Sequence, residues 1–119
     1  MSSDPVVIVA AKRTAIGGFS GSLSTLSAVE IGTVAVKAVL AESGVSPNDV
    51  DEVILGQVLT AGVGQNPARQ TAIKSGIPAD KTAMTINQVC GSGLRSVALG
   101  FQSIVTGDAS IVIAGGQES

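Results

Sequence analysis

The sequence predicts an α/β fold in the order βαβαβαβ, with a largely parallel, mixed sheet and helices laid across it. Short runs rich in β-branched residues alternate with longer stretches that carry helix-cap signals. The apolar runs "VVIVAA", "VILG" and "IVIAGG" are continuous, as expected for strands covered on both faces. Gly, Pro, Asn and Ser collect at the junctions between these stretches, where turns belong.

The first strand is expected in "PVVIVAA", followed by a long Gly/Ser/Thr loop, "KRTAIGGFSGSLSTL". "LSAVEIGTVAVKAVLAESG" then reads as a helix, with Ser27 as N-cap, Glu30 three residues on to complete a capping box, and Gly44 just past the end. Ile31, Val34, Ala35, Ala38 and Val39 are its expected buried stripe. "SPNDV" turns the chain into a strand over "DEVILGQVL". A second helix follows in "NPARQTAIKSG", capped by Asn66, with Pro67 at the first helical position and Gly76 beyond its end. Arg69 and Lys74 are expected on its solvated face. "KTAMTINQV" supplies a strand by alternation and threonine content. "GLRSVALGFQSIVTG" supplies a third helix, closed by Gly107, and "ASIVIAGG" a last strand. The third helix is apolar on one side and small on the other, at Gly93, Ser96, Gly100 and Ser103. With no charged face, it is expected to be a buried helix.

Composition narrows the function. The formal charge is −2, from seven Lys and Arg against nine Asp and Glu, with no block of like charges. This argues against a nucleic-acid partner. No apolar run approaches a bilayer span and no signal layout opens the chain, so a cytoplasmic protein without a membrane association is expected. One cysteine and no histidine leave neither an internal disulfide nor a metal cluster. The chain is 45% hydrophobic and only 13% charged, which leaves apolar area for other protein to cover.

Cys90 is the residue with chemistry to offer. "INQVCGSGLRSV" places it between a strand and a helix, and in parallel sheets functional residues gather at the carboxyl ends of strands. A helix N-terminus favours negative charge, both at an attacking sulfur and at an oxyanion formed beside it. Gly91 and Gly93 would let a substrate approach the backbone. From the residues alone, a small buried hydrophobe is as good a reading. Two rivals fail on spacing. "GSGLRS" as a dinucleotide turn has Ser96 where the third glycine belongs, and Asp108 and Glu118 are badly placed for a ribose. "GVGQNP" lacks the lysine and hydroxyl of a phosphate loop.

"INQVCGSGLRSV" resembles the active-site segment of thiolases, which carry an asparagine three residues before the nucleophilic cysteine. "VVIVAAKRTAIGGFSGSL", "GQVLTAGVGQNPARQ" and "IVIAGGQES" resemble further thiolase segments in the expected order, most closely those of the acetyl-CoA acetyltransferase branch. The resemblance implies that residues 1–119 are an incomplete N-terminal thiolase-like domain, without the loop domain and C-terminal half. It implies that Cys90 takes an acyl group from acyl-CoA as a thioester. The group then passes to acetyl-CoA in a Claisen condensation, or to free CoA in the reverse thiolysis. Coenzyme A and acetyl-CoA are then substrates, and no cofactor is permanently bound. The resemblance implies no particular CoA-binding residue within positions 1–119. The family's activating histidines and second cysteine lie in its second half, so the missing C-terminal segment is an expected partner and the chain alone is expected to be inactive. A homodimer or tetramer is implied, with "KTAMTINQV" pairing across a dimer axis and "QNPARQ" near it. The alternatives are a ketoacyl synthase or hydroxymethylglutaryl-CoA synthase type of condensing enzyme, and a non-catalytic assembly module of the same fold.

Overall fold

The computed structural model describes residues 4–119. Helix α1 runs over Ala28–Ser43, strand β1 over Glu52–Gly56, helix α2 over Pro67–Lys74, strand β2 over Thr82–Ile86, helix α3 over Ser92–Thr106 and strand β3 over Val112–Gly116. The caps form where the sequence places them. The Ser27 amide donates to Glu30 Oε2 at 2.7 Å, and the Glu30 amide donates to Ser27 Oγ at 3.1 Å. Asn66 Oδ1 accepts from the Arg69 amide, and Gly44, Gly76 and Gly107 all take positive φ just beyond their helices.

The sheet has the order β2-β1-β3, and both pairings are parallel. Glu52 stands opposite Thr82 and Val112, and Gly56 opposite Ile86 and Gly116, so the three carboxyl ends finish level. On one face Val53 and Leu55 join Val36, Leu40, Ala68 and Ala72 in the core, beneath α1 and α2. On the other face α3 lies against β1 and β3. No helix among the described residues is long and apolar enough to cross a membrane.

Four expectations need correction. Residues 5–11 pair with no strand, and Val7, Ile8 and Val9 are exposed. An apolar run signals a need for cover but does not name a partner; β1 is already paired on both edges, and the outer edges of β2 and β3 do not take this run. The stripe of α1 is rotated: Ala28, Val29, Gly32, Val36 and Leu40 are buried, while Val34 is 61% exposed. The cause is Gly32, where a Cβ would lie 2.9 Å from Gln117 Cδ, so the helix docks through the residue that lets it come closest. Helix α3 is likewise not enclosed. Its small side, Ser92, Ser96 and Gly100, is buried on the sheet, and Leu94 and Phe101 face outward. Arg69 is not on a free solvated face, because its guanidinium donates to the Lys81 and Ala79 carbonyls at 2.9 Å each and pins the loop before β2.

Asp51 joins the amino ends of β1 and β3. Its carboxylate accepts from the Ser110 amide at 2.7 Å and the Ile111 amide at 3.1 Å, with Lys81 Nζ 3.9 Å away. The Ser110 bond first and then the Ile111 bond hold its pKa below the ordinary 3.8, against an opposing effect of burial that is larger than the further lowering by Lys81. A carboxyl depressed on folding contributes stability above its unfolded pKa and loses it as pH falls through the folded value. Asp51→Asn should therefore be less stable than the parent near neutral pH. The gap should narrow as pH falls below about 4, as read from denaturant midpoints at the two ends of that range.

A candidate active site at the strand-to-helix bend

Between β2 and α3 the chain must reverse direction in five residues, and it does so at Val89, whose φ is 50°. A β-branched residue rarely takes this left-handed conformation, so neighbouring groups must hold it there. Asn87 Oδ1 accepts from the Val89 amide at 2.9 Å, while Asn87 Nδ2 donates to the Val58 carbonyl at 3.2 Å. From the other side, Ser92 Oγ accepts from the Gln88 amide at 2.7 Å and donates to the Val89 carbonyl at 2.6 Å. The amides of Gly91 and Ser92 close back onto Gln88 and Val89. Cys90 sits at the crest of this bend, exposed, with a free thiol.

The first turn of α3 rests on the ends of two strands. A Cβ on Gly56 would lie 2.7 Å from the Ser92 carbonyl carbon and 2.9 Å from the Gly93 nitrogen. A Cβ on Gly116 would lie 3.3 Å from Gly93 Cα. Gly93, read from the sequence as an opening for substrate, makes helix–sheet contact on one side and lines the hollow beside Cys90 on the other. Gly91 is the N-cap of α3 and makes no side-chain cap bond, so the first turn keeps amides that no capping side chain occupies.

Beneath the bend lies a polar relay. Thr71 Oγ1 donates to Gln117 Oε1 at 2.7 Å, Gln117 Nε2 to Gln57 Oε1 at 3.0 Å, and Gln57 Nε2 to the Leu59 carbonyl at 3.0 Å. All three side chains are buried. Glu118 accepts from the amides of Val58 and Leu59 at 2.7 and 3.1 Å. Sequence reasoning missed these residues. Their signal was the Gly-Gln pair that ends two strands, at 56–57 and again at 116–117.

Beside Cys90 opens a hollow of about 1170 Å³, lined among others by Lys12, Arg13, Phe19, Ile31 and Val58. Lys12 pairs with Glu42 at 3.3 Å. Among the described residues no group of three His, Cys, Asp or Glu could hold a metal ion. The arrangement offers a presented sulfur and backbone donors.

Residues 6–119 match the model of the thiolase N-terminal domain. The chain belongs to this family. Among curated proteins, an acetyl-CoA acetyltransferase of Allochromatium vinosum is 66% identical over 117 residues, covering 98% of this chain and 30% of that protein. Acetyl-CoA acetyltransferases of Rhizobium meliloti and Cupriavidus necator are 59% and 62% identical, over 100% and 96% of this chain and 30% and 29% of theirs. The chain thus spans about 30% of the length of the curated relatives it matches. Within the thiolase N-terminal domain, the Gly56 contact makes a direct prediction. Gly56→Ala should destabilise the protein by roughly 1–3 kcal/mol, because the added methyl meets backbone that cannot swing aside. Gly18→Ala, with nothing within 4 Å of the new Cβ, is the control. Equal denaturation midpoints for the two would refute the contact.

Proposed function

We propose that this segment carries the nucleophile of an acetyl-CoA acetyltransferase, and that Cys90 is that nucleophile. The observation that carries the reading is the exposed Cys90 thiol, raised on a hydrogen-bonded bend beside a hollow, in a chain of the thiolase N-terminal domain family. The names of the relatives favour this over a ketoacyl synthase type.

In the proposed reaction the Cys90 sulfur, its proton removed, attacks the carbonyl carbon of acetyl-CoA. The tetrahedral adduct expels CoA as its thiolate, which takes up a proton, and leaves acetyl-Cys90. The carbanion formed by deprotonating a second acetyl-CoA at its methyl carbon then attacks the acetyl group. A carbon–carbon bond forms, the Cys90 carbon–sulfur bond breaks, and acetoacetyl-CoA departs. Run in reverse, the sequence is thiolysis by free CoA. The covalent thioester keeps the acetyl group activated between the two half-reactions.

The segment contains no histidine, and in this reading, as the thiolase resemblance implies, the activating base is supplied by the remainder of the longer protein. In this reading residues 1–119 are an incomplete domain, completed by a C-terminal segment that also covers Leu94 and Phe101. CoA and acetyl-CoA are substrates, no cofactor is permanently held, and the enzyme works in the cytoplasm as a homo-oligomer. The outer edge of β2 has no strand partner among the described residues and suits pairing with a second copy.

The test is acetylation of the full-length protein. After brief exposure to acetyl-CoA, one acetyl group should be found on the tryptic peptide 82–95, at Cys90. Cys90→Ala should abolish the label and lower turnover by roughly a thousandfold or more. An acetyl group on another residue, or a Cys90→Ala protein that still turns over normally, would overturn the assignment.

A further inference from the structure

We infer that Ser92 is a positioning residue for Cys90, acting through the backbone of Val89; this rests on the reading of Cys90 as nucleophile. The bend before Cys90 has an unfavourable element, the positive φ of a β-branched residue, and a small number of bonds that offset it. Ser92 makes two of them from one oxygen, accepting from the Gln88 amide and donating to the Val89 carbonyl. The backbone between those two groups contains the Gln88 ψ and the Val89 φ and ψ bonds, so a single hydroxyl spans the torsions that set the direction of Cys90. The hydroxyl is itself fixed in place. Ser92 is buried, in the first turn of α3, against the end of β1 at Gly56. Its side chain cannot drift without moving the helix. Asn87 supports the same residue from the outside, through the Val89 amide.

Removing the hydroxyl should let Val89 relax toward negative φ and swing Cys90 off its line of attack. Geometry would suffer while substrate binding would not: Ser92 lines the hollow, but it is buried and its hydroxyl is already bonded to the Gln88 amide and the Val89 carbonyl. In the full-length enzyme, Ser92→Ala should slow single-turnover acetylation of Cys90 by about tenfold or more. The KM for acetyl-CoA should stay within about twofold of the parent. The discriminating measurement is rescue. Glycine takes a φ near 50° freely, so adding Val89→Gly to Ser92→Ala should return the rate to within about threefold of Val89→Gly alone. A side chain that only fills space would not be rescued from position 89. Should Ser92→Ala not fold, Asn87→Ala removes the outer support without emptying the helix–sheet contact, and should show the same slow acetylation and the same rescue.

Parent-like acetylation in Ser92→Ala, or no recovery on adding Val89→Gly, would overturn the positioning role. The nucleophile assignment fails separately, if the parent protein is not acetylated at Cys90 at all.

Discussion

The structure depends on one close approach of backbone to backbone: the first turn of α3 lying on the ends of β1 and β3 at Gly56 and Gly116. Side chains at either glycine would hold the helix away from the sheet. With the helix seated, Ser92 is brought level with the residues leaving β2, and its hydroxyl can reach both Gln88 and Val89. The position of Cys90 follows from that seat. In the proposed reaction this matters, because a nucleophile on a loop alone would wander by more than a displacement reaction tolerates, whereas one between a fixed strand and a seated helix has few torsions left to vary.

Beyond the strand ends the ladder continues by other means. The Gln57 and Gln117 amides extend it to the Ile86 and Gly56 carbonyls, and their side chains bond to each other in the interior. Each such bond contributes on the order of 1 kcal/mol net, and leaving any buried member unpaired would cost more than that. The relay therefore resists a shift in register more strongly than it adds to stability. Glu118 does for residues 58 and 59 what another strand would do, supplying acceptors to two successive amides. Because Val58 in turn accepts from Asn87, this clamp and the Cys90 bend are one connected framework.

Much of this was legible in the sequence where a residue type has a local consequence. Ser27, Glu30, Asn66 and the three post-helical glycines act within a few residues of themselves, and each does what its type implies. The parallel sheet and the place of Cys90 at a strand-to-helix junction followed from the alternation of elements. What failed were inferences from hydropathy to partner. "VVIVAA" and the outward face of α3 are as apolar as the buried strands, yet among the described residues they remain uncovered. The stripe of α1 and the enclosure of α3 were misread for a related reason. Gly32, Ser96 and Gly100 have little hydropathy of their own, but their size decides which side of a helix can approach. The Gln57–Gln117 relay was hidden because glutamine at a strand end ordinarily reads as a solvated turn residue.

The chemical character of the framework sharpens the division of labour within the proposed enzyme. The side chains that hold the bend are those of Asn87 and Ser92, and the relay below uses Gln57, Gln117 and Thr71. None of these five gains or loses a proton over the pH range in which proteins are folded. The side chains that hold the Cys90 bend are therefore indifferent to pH, and the carboxylate of Glu118 is tied to them through Val58. A frame of this kind keeps its shape whichever protonation state the nucleophile and its base pass through. That is what a two-step acyl transfer requires, because the same sulfur must first attack, then carry the acyl group, and finally leave, with no rearrangement of its supports between steps.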